Sequence, residues 1–373
     1  MSDYFNFQLH TAVSHWDRRT FLSYSQQIYA DDRRWTPLEA SRIQAALNPA
    51  RNPHLARMTP TLLYFDGLRR MQERPLPATP NLASIEAPLV TAALLQDPRR
   101  HDRTAYLAHL HCANSKSALL AFQDKIVEEL SNQGIRRFVG PTAFSPHLGS
   151  GALASHWQLP PPHLTPYNPP YLPELLARRM TPIAQSALFH VDVPATAQIA
   201  LVGPAELRPL HPAQLSHELL PLLAALGQNP AGFAPPDALE ADFWQRWLGP
   251  ALHGWVAWVE RQPVGLVLLL PDLAARLRRW RGGRGLWWLG LTAVRHQPVR
   301  AGRVLLGGVL PHWRGQGVGR QLWRQTLLSA QAAGWQTMTI GPVWAGKEST
   351  AVSFLQNHHA LPQQTYQLYE RTF

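Results

Sequence analysis

The chain of 373 residues has only one cysteine, Cys112, so no disulfide can form within it. A lone thiol is typical of proteins that work in reducing compartments. The sequence also lacks a basic segment followed by an apolar core near its first residue, so we expect no secretory signal. These absences predict a soluble, cytoplasmic protein.

Long hydrophobic runs are missing as well. The longest, Val264 to Leu270 and Gly285 to Val294, are far shorter than the roughly 20 apolar residues that a membrane-spanning helix needs. Hydrophobic residues nevertheless make up 45% of the sequence, which is enough to build packed cores. We therefore expect a globular protein with no transmembrane segment, and the length is comfortable for two domains.

Acidic residues are scarce relative to basic ones. Lys and Arg number 35 against 24 Asp and Glu, a formal net charge of +11 that is almost all arginine. Such a charge suits nucleic acid, an anionic lipid surface or a polyanionic cofactor. An Arg- and Trp-rich insertion, Arg276 to Leu289, fits base stacking, membrane contact, a lid over a cofactor, or a solvated face with buried tryptophans. Nucleic-acid or membrane-surface binding therefore remains an alternative function.

Three common catalytic motifs are absent. No Walker A sequence occurs, so P-loop phosphate transfer is not indicated. A Rossmann site would need an acidic residue in the strand after its glycine loop, and Thr337 to Gly341 contains none. No Gly-x-Ser-x-Gly sequence is present, which removes the nucleophile elbow of the α/β-hydrolases.

The most informative segment that is present runs from Arg314 to Gly319 and reads Arg-Gly-Gln-Gly-Val-Gly. The pattern predicts a strand before it, Arg303 to Leu310, and a helix after it, Arg320 to Ala333, which Gly334 ends. Glycines between a strand and a helix let the backbone approach an anion, and the helix N-terminus adds free N–H groups and a favourable dipole. The segment therefore predicts a phosphate or pyrophosphate site.

The strand–helix–strand pattern around this segment occurs twice, at an offset of about 200 residues. The first copy runs from a predicted strand, Ala105 to Cys112, through a helical stretch to Gly134 and Gly140-Pro141. The second copy ends in the same way, at Gly334 and Gly341-Pro342. We predict two domains of one architecture, residues 1–198 and 199–373. The two predicted helices carry matching apolar stripes, which consist of Leu119, Phe122, Ile126, Val127 and Leu130 in the first and Leu322, Trp323, Thr326, Leu327 and Ala330 in the second.

The segment from Val309 to Arg320 resembles the acyl-CoA loop of the GNAT (Gcn5-related N-acetyltransferase) superfamily. In that family Arg/Gln-x-x-Gly-x-Gly/Ala connects the fourth strand to the third helix, and Arg314, Gly317 and Gly319 fill the pattern. A late predicted helix, 349–356, and a terminal strand, 365–373, correspond to elements of the family too. The whole chain resembles bacterial tandem GNAT proteins.

The resemblance implies a mixed α/β (α+β) fold with two GNAT-like domains, each a twisted, mostly antiparallel mixed sheet flanked by helices. It implies that backbone groups of Val309 and Leu310 bind the pantetheine arm of the cofactor. The backbone N–H groups from Gly315 to Arg320 would hold the pyrophosphate, with Arg314 beside it. The implied cofactor-binding residues are Val309, Leu310, Arg314, Gly315, Gln316, Gly317, Val318, Gly319 and Arg320.

The implied activity is N-acyl transfer, in which an amine of a small molecule or peptide attacks the thioester of acetyl-CoA or another acyl-CoA directly. Two departures leave a non-catalytic acyl-CoA sensor or scaffold as an alternative. The predicted strand Arg303 to Leu310 lacks the glutamate that many family members use as a base, and Leu355 stands where many have a catalytic tyrosine. Tyr369 on the terminal strand is the candidate replacement. We expect a monomer or a homodimer.

The first half resembles a degenerate GNAT domain. No glycine occurs between Gly67 and Gly134, and at the offset Asn114, Ser117 and Leu119 replace the loop residues, so we predict that this half does not bind CoA. His109 and His111 fall on one face of the predicted strand. Two imidazoles in this arrangement bind zinc with a third ligand or line a cleft, and we predict no metal site.

Elsewhere the pattern predicts local structure only. Thr61 to Phe65 predicts a strand that ends in a type I′ hairpin turn at Asp66-Gly67. The proline-rich segment from Pro141 to Pro173 predicts a long ordered loop, since its aromatic side chains can pack.

Overall fold

The computed structural model describes residues 4–36, 40–48, 50–69, 85–195, 203–227, 229, 231–279, 298–345 and 350–373. The predicted domain boundary at 198–199 lies outside these residues, and so does the insertion from residue 280 onwards.

The described residues form thirteen strands and ten α-helices. The strands are Tyr4–Thr11 (β1), Thr61–Arg69 (β2), Ile85–Gln96 (β3), Thr104–Cys112 (β4), Arg137–Thr142 (β5), Ala152–Leu153 (β6), Thr181–Asp192 (β7), Glu206–Pro209 (β8), His253–Val259 (β9), Gln262–Pro271 (β10), Ala301–Val309 (β11), Thr337–Ala345 (β12) and Leu361–Thr372 (β13). The α-helices are His15–Ile28 (α1), Ala40–Ala46 (α2), Pro53–Arg57 (α3), Lys116–Asn132 (α4), Tyr171–Leu176 (α5), Leu220–Leu226 (α6), Ala238–Leu248 (α7), Ala274–Arg279 (α8), Val318–Ala332 (α9) and Thr350–Asn357 (α10). Short 3-10 helices precede α6 and α9, at Pro212–Ser216 and Pro311–Trp313.

The described strands form one continuous sheet in the order β1-β2-β3-β4-β5-β13-β7-β12-β11-β10-β9-β8, and β6 pairs with β13. Two neighbouring pairs are parallel, β4 with β5 and β11 with β12, and all other pairs are antiparallel. The predicted mixed α/β class with mostly antiparallel sheets is confirmed.

The two halves of the chain exchange their last strands. β13 ends the second half but lies beside β5 of the first, where Tyr369 is opposite Gly140. β7 ends the first half but lies beside β12 of the second, where Trp344 is opposite Ser186. β7 and β13 also pair with each other at the centre of the sheet. Each half therefore needs a strand of the other to complete its part of the sheet.

The matched helices α4 and α9 pack on the sheet through the predicted stripes. Leu119, Phe122, Ile126 and Leu130 are buried on α4, and Val127 is partly buried. Leu322, Trp323, Leu327 and Ala330 are buried on α9. Spacings of three and four residues put these side chains on one face of a helix, so burying that face stabilises both the helix and its half of the sheet.

The predicted hairpin turn at Asp66-Gly67 is wrong, because β2 continues through both residues to Arg69 and pairs with β1 and β3 on its two edges. The Asp66 carboxylate accepts a hydrogen bond from Tyr24 Oη at 3.2 Å. A Cβ at Gly67 would lie 2.9 Å from the Leu89 side chain. Glycine here serves close side-chain packing rather than a turn. The proline-rich segment contains the end of β5, β6 and the start of α5 as regular structure.

Candidate functional site

The first feature of the site is an opening between β11 and β12. These parallel strands pair only from Ala301–Val304 with Thr337–Ile340. Beyond that point β12 continues beside β7, and β11 continues beside β10 to Val309. The strands therefore diverge, and one edge of β11 from residue 305 to 309 is left without a partner among the described strands.

Hydrogen bonding decides which backbone groups face the opening. Leu310 N–H donates to Val264 O at 2.9 Å, on the β10 side. Because antiparallel residues alternate between bonded and non-bonded pairs, the backbone groups of Val309 and Gly307 point the other way, into the opening. Leu310 O accepts a bond from Trp313 N at 2.9 Å, so both backbone groups of Leu310 are engaged within the protein. Gly307 was not singled out by the sequence.

The glycine loop follows directly and leads into α9. Gly315 and Gly317 have φ values of +78° and +90°, in the left-handed region that L side chains rarely adopt. Gly317 is the N-cap of α9 and has no side chain to cap the helix. Within the described residues, no acceptor bonds the N–H groups from Gly315 to Arg320. Gly315, Gln316 and Arg320 are exposed, whereas Val318 is fully buried, so the donors of the exposed residues face solvent beside a helix N-terminus, the arrangement that binds phosphates.

Side chains around the loop leave this surface open. The Arg314 side chain turns back, and its Nε donates to Val309 O at 3.0 Å. Gln316 Nε2 donates to His312 O at 2.8 Å. A Cβ at Gly319 would make only ordinary contacts, 3.6 Å from Phe354 and 3.9 Å from Val309, which agrees with a pattern that accepts Gly or Ala there.

The first half offers a direct internal comparison. Ala113 N–H donates to Leu89 O at 2.7 Å, just as Leu310 does to Val264, so Cys112 is the counterpart of Val309. Eight residues, 310 to 317, separate β11 from α9, whereas only three, 113 to 115, separate β4 from α4. The Ser115 side chain accepts a bond from Ala118 N and caps α4. The first half therefore lacks the loop itself, and its helix N-terminus is capped by its own side chain.

Two tyrosines of the first half bond the backbone groups at the end of β4. Cys112 N–H donates to Tyr29 Oη at 3.4 Å, and Tyr171 Oη donates to Cys112 O at 2.7 Å. Burial raises the pKa of both tyrosines, so each hydroxyl keeps its proton. Both backbone groups of Cys112 are thus bonded to tyrosines of distant segments, whereas Val309 O, its counterpart, is bonded by Arg314 of the adjoining loop. Ser before a helix is a common N-cap, so that part was readable from the sequence, whereas the tyrosine contacts join distant segments and were not.

No acidic base lies on the strands of the opening, since neither β11 nor β12 contains Asp or Glu. The charged side chain there is Arg303, which is buried and donates from Nη1 to His163 O and from Nη2 to Gly341 O, the latter at 3.2 Å. Burial lowers the pKa of Arg303 to about 10, so it remains a cation at neutral pH. Leu355, where the sequence resemblance would place a tyrosine, is buried in the core of the second half.

Tyr369, the candidate catalytic residue, is buried in the core of the first half, with Phe138 and Leu172 in the same cluster. Burial raises its pKa. Val309 and Val343, which flank the opening, pack instead in the core of the second half. We therefore expect Tyr369→Phe to leave the rate of any acyl transfer within about twofold of wild type, because the hydroxyl lies in a separate core. The initial rate of CoA release checks this, and a loss of about a hundredfold, typical of a missing general acid, would contradict it.

Within the described ranges, no three or more His, Cys, Asp or Glu side chains are grouped so that they could hold a metal ion. Across the same part of the chain, none of the helices has both the length and the apolarity for crossing a bilayer.

The sequence matches no family model and no curated relative. Solved structures do resemble the fold. The chain is similar to a tandem GNAT protein from the clavulanic acid biosynthesis pathway, with a TM-score of 0.58 and 10% identity over 98% of both chains. It is also similar to a GCN5-related N-acetyltransferase from Sphaerobacter thermophilus, with a TM-score of 0.52 and 12% identity over 98% of this chain and 95% of the other. A probable N-acyltransferase from Enterococcus faecalis gives a TM-score of 0.56 and 6% identity over 99% of this chain and 73% of the other.

Proposed function

The chain has the fold of the tandem GNAT proteins, and on this premise we propose that its second half binds an acyl-CoA, in the first place acetyl-CoA, and transfers the acyl group to an amine. The proposed domains are residues 1–198, which do not bind the cofactor, and 199–373, which do. The acceptor is an amine of a small molecule or peptide.

The observation that supports this most is the contrast between the two halves. The opening of β11 and β12 is followed by a glycine loop whose N–H groups have no acceptor in the described residues. In the first half, tyrosine hydroxyls bond both backbone groups of Cys112, and Ser115 caps the following helix. A phosphate at the loop would receive several backbone hydrogen bonds and favourable helix-dipole energy.

The pantetheine arm would add to the open edge of β11 as a short strand does. Its amides would bond the backbone groups of Val309 and Gly307, with Leu310 marking the turn into the loop. An amide N–H at Val309 O would replace the Arg314 Nε donor that occupies it now. The released guanidinium would then lie next to the pyrophosphate, where Arg320 adds a second positive charge.

Acyl transfer here would depend on positioning more than on acid–base groups. The opening would hold the thioester and the amine side by side, which alone supplies a large part of the acceleration. With no carboxylate on β11 or β12, the attacking amine would lose its proton to solvent before it binds. The neutral amine is therefore the reactive species.

We predict that a panel of amines of different pKa, given with acetyl-CoA, contains acceptors that release CoA at a rate above hydrolysis. For each acceptor, kcat/KM should rise about tenfold per pH unit below the pKa of that amine and level off above it, because only the neutral form reacts. Thiol detection of free CoA measures this. A pH midpoint that stays fixed while the amine pKa changes would instead reveal a base on the enzyme.

The absence of a carboxylate on these strands and of a tyrosine at position 355 favours one other function, a non-catalytic acyl-CoA sensor. The same panel separates the two, because a sensor binds acetyl-CoA without releasing CoA in the presence of any amine. Nucleic-acid binding rests on the net charge of +11 and the Arg- and Trp-rich insertion, and its test is an RNA affinity that falls steeply with salt.

A further inference from the structure

The first half contains a cavity of about 130 Å³ at the place where its own strands diverge. β4 and β5 stop pairing at Ala108 and Thr142, and the space beyond is enclosed by α1, the proline-rich segment and Trp247 of α7. Gln26 of α1 lines the cavity and is exposed, so the cavity reaches the surface there. A cavity of about 150 Å³ is large enough to bind benzene, so this one is of ring size.

Three residues that line the cavity each carry a buried polar atom that lacks a partner. His111 Nε2 lies 3.3 Å from His109 Nε2, so one ring donates to the other. His111 Nδ1, Thr142 Oγ1 and Thr165 Oγ1 have no hydrogen-bond partner among the described residues, and the Thr142 residue is only 4% exposed. Buried polar atoms without partners are costly, so a molecule that bonds to them gains that energy on binding.

The cavity carries no net charge. Among the residues that the structure describes, no Asp, Glu, Lys or Arg side chain lines it. Burial lowers the pKa of His109 to about 4, and burial together with the neighbouring His109 lowers the pKa of His111 well below its usual value. Both imidazoles are therefore neutral at pH 7. A charged ligand would lose its hydration without gaining an ion pair, whereas an uncharged one would not.

The occupant also differs from the proposed cofactor of the second half. Tyr29 and Tyr171 occupy the backbone groups of Cys112, and Ser115 caps α4, so neither a pantetheine arm nor a pyrophosphate finds donors here. The residues that remain are apolar walls, among them Leu22, Ile43 and Phe144, around the His and Thr atoms.

We propose that this cavity is a second ligand site, which binds an uncharged, ring-sized molecule through a hydroxyl or amide group directed at His111, Thr142 and Thr165. The site is independent of acyl-CoA binding and of whether the second half is catalytic.

The first experiment uses the full-length wild-type chain at pH 7 and ligands of one size. Isothermal titration should show that phenol and benzamide each bind at one site per chain. The Kd of benzene should be about fivefold higher than theirs for each hydrogen bond that benzene cannot form. Benzoate and benzylammonium should not bind. The proposal is overturned if neither phenol nor benzamide binds, or if a charged analogue binds as tightly as its neutral counterpart.

Variants then locate the site. Ser25 lines the cavity, and its Oγ donates to Leu22 O of its own helix at 3.3 Å, so Ser25→Leu should fill the space and weaken phenol binding at least about tenfold. Ser23→Leu, on the same helix but outside the cavity lining, is the matched control and should bind as wild type does. Thr142→Val removes only the hydroxyl and should weaken phenol about fivefold while leaving benzene unchanged.

If Ser25→Leu binds phenol as wild type does, the probe lies elsewhere and the proposal fails. Should Ser25→Leu not fold, Thr142→Val decides alone: equal losses for phenol and benzene, or none for either, would exclude a hydrogen bond from Thr142 and overturn the site.

Discussion

Gly317→Glu should abolish the thermal stabilisation that acetyl-CoA gives to the wild-type chain. At a ligand concentration of about 100 Kd, binding stabilises a protein by about 2.7 kcal/mol. This corresponds to a rise in Tm of about 3 °C if the whole chain unfolds as one unit and about 7 °C if one half unfolds alone. Gly317 has φ +90° at the N-cap of α9, so a side chain there strains the loop. A carboxylate would also occupy the donors and repel the pyrophosphate. Differential scanning fluorimetry measures the shift.

Gly334→Glu is the matched control, because it introduces similar backbone strain without placing a carboxylate at the loop. Gly334 has φ +71° just beyond the other end of the same helix, and a Cβ there meets nothing within 4 Å. The strain of the substitution is therefore comparable, while the charge lies at the end remote from the loop. This variant should have a lower Tm without ligand and the full wild-type shift with acetyl-CoA. A full shift in Gly317→Glu would show that the cofactor does not use the loop.

Cutting the chain after residue 198 should not separate its halves. β7 of the first half lies between β12 and β13, and β13 of the second lies between β5 and β7. Removing either half would leave buried strand edges without partners, at the cost of a whole ladder of hydrogen bonds. When a protease site is inserted after residue 198, we expect the cleaved chain to elute from a sizing column as the uncleaved chain does.

The same exchange predicts the behaviour of the separate halves. Residues 1–198 and residues 199–373, each expressed alone, should aggregate or remain unfolded, and co-expression of both should yield a soluble complex. The elution volumes of the uncleaved chain and of the cleaved chain, both under native conditions, are the references for the co-expressed complex. If each half is stable and monomeric by itself, the halves are independent domains and the exchanged strands contribute little to their stability.

Features encoded by neighbouring residues were predictable from the sequence. The strand that ends at Val309, the glycine loop and the apolar stripe of α9 follow from local periodicity and glycine chemistry, and all three elements are observed within one or two residues. The prediction that fails, a turn at Asp66-Gly67, fails for a non-local reason. Pairing with β1 and β3 on both edges holds the backbone extended, whatever the local preference for a turn.

Features that join distant segments were not predictable. The exchange of β7 and β13 leaves no trace in the pattern of either strand, because a sheet edge accepts any extended segment of suitable register. The same holds for the hydrogen bonds that Tyr29 and Tyr171 form with the backbone of Cys112, because their segments lie far apart in the chain. The absence of glycine between Gly67 and Gly134 predicted that the first half has no CoA loop. It did not predict the tyrosines that bond Cys112 or the cavity beside His111.

The most direct test of the account is the stoichiometry of acetyl-CoA binding, measured by isothermal titration with the intact chain. A glycine loop in the second half and a capped helix in the first predict one bound acetyl-CoA per chain. Two per chain would contradict the proposal that the first half does not bind the cofactor. No bound acetyl-CoA would contradict the cofactor site of the second half.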